Sequence, residues 1–326
     1  MNFIKKYRKV LAIISAATIT VLFLLFALGC IFISGGEPYG SRVRVDRQRR
    51  EIHYTGSEIS ILQLSDIQTS NLVECAMAYP TVKWSVARTR PDLIVLTGDN
   101  ISNGSGNGVL DAFINLMDSF KIPWAPVLGN HDPNSAVPIE QLCERLEASE
   151  YCLFDTGDIQ NRYGNYSYTL VNDGVATETL IFMDSGKEGF TEEQVRWYED
   201  TLLESEKKYS HTPSSLVFFH IPIKETLKAH EAYADDPEIG SGEARSEVRV
   251  QSLDSGFFDA VIRLGSTRGL FYGHDHENNT QILYRGVLFC YGTKTGITVY
   301  FSKDSLGANL LTLGRDGELE VERINC

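Results

Sequence analysis

Asp66, Gln68, Asp99, Asn130, His131, His220, His274 and His276 are the residues of this 326-residue chain whose types and spacing can do chemistry. They fall in five short fragments: Asp66-Ile67-Gln68, Gly98-Asp99-Asn100, Gly129-Asn130-His131-Asp132, His220 and Gly273-His274-Asp275-His276. Carboxylate, amide oxygen and imidazole are hard-to-borderline donors, better suited to Mn, Fe or Zn than to calcium. Two such ions about 3.5–4 Å apart can hold a bridging hydroxide and clamp both oxygens of a phosphoryl displacement. A single carboxylate such as Asp99 can bridge both. Alone, Gly98-Asp99-Asn100 would be a turn at a strand end, and His220 a satisfied buried histidine. Two histidines two residues apart, as in His274 and His276, point the same way on an extended backbone and are more specific. Four of the seven histidines lie in these fragments; His53, His211 and His230 have no such context and read as structural or surface residues.

Each fragment follows an apolar, β-branched run, so strands must carry the donors. Strand character is predicted at Ile59–Leu64, Leu93–Leu96, Ala125–Leu128, Tyr166–Val171, Thr179–Met183, Leu216–Phe219 and Gly269–Tyr272. Between them, helical spacing is predicted near Val73–Arg88, Val109–Phe120, Ile139–Leu146 and Phe257–Leu264. Thr191, with Gln194 three residues on, opens another helix that runs to about Ser205. An Asp316-Gly317 hairpin turn is expected among short β segments at the end of the chain. Alternating elements with β-rich ends predict a layered α/β domain. In such sheets ligands bind beyond the carboxyl ends of the strands, which draws the fragments to one crevice. Ala232–Val250 has little periodicity and reads as a long functional loop, a candidate for substrate selection.

The ordered set resembles the calcineurin-like metallophosphoesterase superfamily, whose pattern is D-x-H, G-D, G-N-H-[DE], H and G-H-x-H. The likeness spans roughly Ile59 to Gly296. Within it, Phe182-Met183-Asp184-Ser185-Gly186, Gln194 with Trp197-Tyr198, Phe219-His220-Ile221-Pro222, the run from Gly273 to Asn279, and Cys290-Tyr291-Gly292 with Gly296 are similar to the small purple-acid-phosphatase-like branch. The resemblance implies an α/β sandwich of two mixed β-sheets flanked by helices, with two divalent metal ions at one edge. It implies that Asp66 and His276 hold the first ion, that Asp99 bridges, and that Asn130, His220 and His274 hold the second. His131 would face the phosphate and assist the leaving group. Gln68 stands where the family usually has a histidine. Its carbonyl oxygen can coordinate, but more weakly than imidazole, so the first ion is expected to be loosely held. Ser102 stands where true purple acid phosphatases have an iron-bound tyrosine, which predicts a colourless protein. Protein Ser/Thr phosphatases have Asp there followed by Arg-Gly; neither is present, and the usual acid partner of His131 has no candidate.

The first 50 residues carry nine Lys or Arg against two acids, which leaves 21 bases and 41 acids in the rest of the chain. A body near −20 with no Lys/Arg cluster repels a polyphosphate backbone, so nucleic acid is disfavoured as a partner. A small or surface-displayed phosphoester is the expected substrate. Val10–Ser34 is apolar and uncharged, preceded by a basic tail over residues 1–9. It exceeds the roughly 20 residues that span a bilayer and the roughly 7–15 of a signal peptide core. It is read as one N-terminal transmembrane helix; the alternatives are a cleaved signal, or a lipoprotein processed at Cys30. Residues 35–56 read as a linker and 57–326 as the catalytic domain, placed outside the cytoplasm. Cys75, Cys143, Cys152, Cys290 and Cys326 show no C-x-x-C spacing and read as buried free thiols, with a Cys143–Cys152 bridge as the alternative. The reading is thus a membrane-tethered, metal-dependent phosphoesterase; the alternative is a non-catalytic metal- or phosphate-binding protein on the same fold.

Overall fold

The computed structural model describes residues 42–315 and 317–326. The expected transmembrane segment and Asp316 of the expected turn lie outside the described residues. Among the described residues no helix is long and apolar enough to cross a membrane.

One sheet grows from continuous apolar runs. Strands β3 (Glu58–Leu64), β4 (Leu93–Thr97) and β5 (Trp124–Val127) pair in parallel. β4 and β5 are buried throughout, as expected of parallel strands covered on both faces. Their crossovers are helices α1 (Leu72–Thr89) and α2 (Asn107–Ser119). Asn71 opens α1, its side chain accepting hydrogen bonds from the Val73 and Glu74 amides, and Arg90 closes it in a left-handed conformation. The antiparallel strands β13 (Gly307–Gly314) and β14 (Leu319–Asn325) complete a sheet of order β14-β13-β3-β4-β5.

The other sheet has nine strands: β1 (Arg44–Asp46), β2 (Glu51–Tyr54), β6 (Tyr166–Asn172), β7 (Val175–Phe182), β8 (Ser214–Phe218), β10 (Thr267–Tyr272), β12 (Val287–Tyr291), β11 (Gln281–Tyr284) and β9 (Gly240–Ser241), in that spatial order. Parallel pairing of β7, β8, β10 and β12 forms its centre. Tyr166, Phe182, Phe218 and Phe271 stack across four neighbouring strands, with ring centroids 4.6, 5.3 and 5.2 Å apart. The Tyr166 hydroxyl donates to the Pro126 carbonyl of β5 at 2.8 Å, which ties the two sheets together. Helices α4 (Glu192–Tyr209) and α6 (Phe257–Leu264) contribute Val195, Tyr198, Leu202, Phe257, Phe258 and Val261 to a buried cluster with Val217, Phe219 and Tyr272. Helix α3 is Ile139–Glu147 and α5 is Glu225–Asp235. Two mixed sheets with flanking helices are therefore present, as expected.

Three expectations are corrected. The linker expected over residues 35–56 contains β1 and β2, and β2 pairs in parallel with β6. Its bases, though exposed, pair with acids: Arg42 with Asp92, Arg49 with Glu51 and Arg50 with Asp155. The long loop expected at Ala232–Val250 begins inside α5, and β9 within it pairs with β11. Helix α5 buries only Thr226 and Ala229, so its sequence has little apolar periodicity. Cys75, Cys143, Cys152 and Cys290 are buried free thiols, whereas Cys326 is exposed.

Candidate metal centre

The strand ends deliver the donors. The carboxyl ends of β3, β4, β5, β8 and β10 lead into Asp66, Asp99, Asn130, His220 and His274 respectively. The β3–β4 pairing continues past the strands, with the Asp66 amide donating to the Gly98 carbonyl (3.1 Å) and the Gln68 amide to the Asp99 carbonyl (3.0 Å). All five fragments meet. His276 Nε2 lies 3.3 Å from Asp66 Oδ1, and His220 Nε2 lies 3.3 Å from Asp99 Oδ2 and 3.1 Å from Asn130 Oδ1. The rings of His220 and His274 are 5.2 Å apart, and His131 Nε2 is 3.8 Å from Asp99 Oδ2.

Backbone carbonyls aim the imidazoles. His220 Nδ1 faces the Thr97 carbonyl at 2.8 Å and His276 Nδ1 the Tyr300 carbonyl at 3.1 Å. An Nδ1–H donated to a carbonyl leaves Nε2 as a bare ligand atom turned inward. Two motif glycines permit the close approach. A Cβ at Gly129 would strike the Asp99 carboxylate, and one at Gly273 would strike Ser65 Oγ and Asp66 Oδ2. Asp132 ties two fragments together, accepting from the amides of Gly129 (2.7 Å) and Ile101 (2.9 Å). The side chain facing His131 Nδ1 is Asn103, whose Oδ1 is 2.9 Å away. Asn103 follows Ser102 in the chain, and as an uncharged amide it carries no sequence signal of the acid that usually partners His131.

The centre concentrates buried charge. Burial acts to raise the Asp66 carboxyl, but His276, His220 and Lys294 outweigh it and hold the group below the ordinary carboxylate range. Asp99 is likewise lowered, burial being overcome by His220 and His131. Burial acts to lower His220, yet Asp99 and Asp66 push it up to about 10. Desolvation and the neighbouring His220 lower the half-buried His274 to about 4. Burial and the Asp99 charge push Asp132 up to about 7. Two buried carboxylates with inward imidazoles fit a cation, and among the described residues Asp66 Oδ1 is buried without a hydrogen-bond partner. Asp66, Asp99 and His276 could hold a metal ion, their donor atoms lying within 4.8 Å of one another.

Gln68 sits inside this cluster, 2% exposed. Its Nε2 donates to Asp99 Oδ2 at 2.9 Å, and its Oε1 accepts from Lys294 Nζ at 3.2 Å. Lys294 was not singled out by sequence. It follows Gly292-Thr293 with no motif spacing, and it is lowered to about 8 by burial, against the pull of Asp66 and Asp99. His53 lies beside Glu51, His211 bonds backbone carbonyls and His230 faces Thr280, all apart from the centre. A cavity of about 430 Å³ adjoins Asn130, walled by Pro138, Ile139, Arg162, Tyr163 and Lys187.

The two mixed sheets thus carry these donors at one edge. The sequence pattern described as calcineurin-like phosphoesterase matches residues 59–278, and the chain belongs to that family. It is 30% identical over 277 residues to "Probable inactive purple acid phosphatase 28" of Arabidopsis thaliana, covering 74% of this chain and 68% of that one. It is 28% identical over 335 residues to "Probable inactive purple acid phosphatase 29" of the same plant, covering 85% and 82%. Among solved structures, a dimetal phosphatase from Danio rerio superposes with a TM-score of 0.52 at 14% identity, covering 83% of this chain and 99% of that one; at this identity the likeness is one of fold.

Proposed function

We propose that the protein is a membrane-tethered, metal-dependent phosphoesterase that hydrolyses a small or surface-displayed phosphoester. The observation that carries this reading is the convergence of Asp66, Asp99, Asn130, His220, His274 and His276, with His131 at the rim. Asp66, Asp99 and His276 would hold one divalent ion, and Asp99, Asn130, His220 and His274 a second. Mn, Fe and Zn suit this donor set. Bound there, the ions would supply an activated water and neutralise charge on the phosphoryl oxygens.

The chain's own groups do the rest. The Thr97 and Tyr300 carbonyls orient His220 and His276. His131, a third exposed, can donate a hydrogen bond or proton to the departing oxygen, and Asn103 fixes its ring. The cavity beside Asn130 offers Arg162 and Lys187 to an anionic substituent and Ile139 and Tyr163 to an apolar one. Arg249 brings the segment after β9 to the rim, where its guanidinium meets the Tyr300 hydroxyl while the Tyr300 ring stacks on His276. Tethering follows from the apolar run Val10–Ser34, with the catalytic body placed outside the cytoplasm. The acid-rich body argues against nucleic acid as substrate.

A second reading is a non-catalytic metal- or phosphate-binding protein, favoured by the engagement of Gln68 with Lys294 rather than with an open ligand position. The discriminating experiment strips the full chain of metal in detergent and returns Mn, Fe, Zn or Ni with aryl phosphate mono- and diesters. Turnover that is lost in Asn130→Ala is expected. Metal uptake with no turnover under any ion would establish the second reading.

A further inference from the structure

Lys294 lies beneath the metal centre, 1% exposed. Its backbone bridges in parallel to Ser65 on one side and Leu306 on the other, so its position is fixed by the extensions of β3 and β13, neighbours in the five-stranded sheet. The Thr295 amide donates to the Ser65 carbonyl, and the Gly307 amide to the Lys294 carbonyl, each at 2.8 Å. From this strap Nζ donates to the Asp66 carbonyl at 2.9 Å and to Gln68 Oε1 at 3.2 Å. Both bonds fall on the Asp66–Gln68 loop, that is, on the first metal position. Gln68 is then held at both ends, because its Nε2 donates to Asp99 Oδ2. The reverse orientation would set amide hydrogens against an ammonium and the carbonyl oxygen against a carboxylate, so charge decides which way the amide points. The ligand-capable oxygen of Gln68 is therefore committed to Lys294, and one lone pair of Asp99 to Gln68.

We propose that Lys294 is a built-in counter-cation for the first metal position, which holds Gln68 out of coordination and makes the two positions bind divalent ions with unequal affinity. This rests on the metallophosphoesterase reading above. A fixed positive charge facing Asp66 and Asp99 opposes a second cation on those carboxylates. The position built on Asn130, His220 and His274 keeps its inward-facing donors. Lys294 acts as a positioning and charge-balancing residue, so its signature is metal affinity rather than turnover.

The test titrates Mn²⁺ into the metal-free full chain in detergent by calorimetry, for the natural protein and for Lys294→Met. Two classes of site are expected in the natural protein. In Lys294→Met the weaker constant should tighten by roughly ten- to a hundredfold, the scale of effects exerted by groups that orient metal ligands, while the tighter constant stays close to its original value. Two equal sites in the natural protein, or a weaker constant unmoved in a folded variant, would overturn the proposal. Electron paramagnetic resonance of the natural protein needs no variant. With one equivalent of Mn²⁺ it should show uncoupled ions, and spin-coupled pairs at that loading would equally overturn it. Failure of Mn²⁺ to bind at either position would instead overturn the underlying reading.

Discussion

Asp66, Gln68, Asp99 and His274 carry backbone φ values of 53°, 48°, 51° and 78°, a left-handed conformation that residues with a Cβ resist. Each such residue costs on the order of 1–3 kcal/mol and persists where its surroundings over-determine it. For Asp66, Gln68 and Asp99 the surroundings are the amide–carbonyl bonds that carry the β3–β4 pairing beyond the strands, and for His274 the bond from its amide to Asp66 Oδ2. Ligand chemistry made the aspartates, Asn130 and the histidines legible in the sequence, because few other roles need those types in that order. Asn103 and Lys294 were not legible. Asn103 acts through one contact across 28 residues of chain and Lys294 through two across 226 and 228, and neither type signals a metal centre. Asn103→Ala should free the His131 ring and lower kcat by up to about 100-fold, the scale set by small misplacements of catalytic groups. Metal content and melting temperature should stay near those of the natural protein. A kcat equal to that of the natural protein would show that Asn103 does not position His131.

The central strands were readable because they are apolar throughout, and the capped helix α4 because Thr191 and Gln194 form a reciprocal box. Strands β1 and β2 were not readable, being three and four residues long and set in an arginine-rich stretch. Long-range pairing, invisible in a local window, makes them strands. Glu51 of β2 gathers Arg49, Lys208 and the Tyr209 hydroxyl, joining this edge to the end of α4. Burial acts to raise Glu51, but these three partners hold it down to about 2. A folded pKa below the unfolded one gives stability that is complete above about pH 4.5 and is lost as pH falls through about 2. Glu51→Gln should therefore cost about 1–3 kcal/mol at pH 7, and the difference from the natural protein in thermal melting should shrink as pH drops from 4.5 toward 2. A gap that is constant with pH would mean that the carboxylate charge does not hold this edge.

At the scale of the molecule, an acidic body places two buried carboxylates where a cation could be held. An ion at about a hundred times its dissociation constant stabilises the folded state by about 2.7 kcal/mol, which in a body of this size is a rise of roughly 4–5 °C in melting temperature. Chelation should reverse that rise and Mn²⁺ should restore it; a melting temperature indifferent to both would mean that the cluster is closed by its own protons and Lys294. The α/β class and the convergence of the fragments followed from sequence, since parallel strands send their carboxyl ends to one edge. The internal cation did not, because its meaning depends on which side chains fold against it. The most direct test of the central claim compares aryl phosphate turnover by the natural protein and by His131→Ala, with metal content verified as equal in both. The account predicts hydrolysis by the natural protein and a loss of at least about 100-fold in the variant, the contribution of a positioned proton donor. Equal metal loading with no hydrolysis by either protein would contradict it.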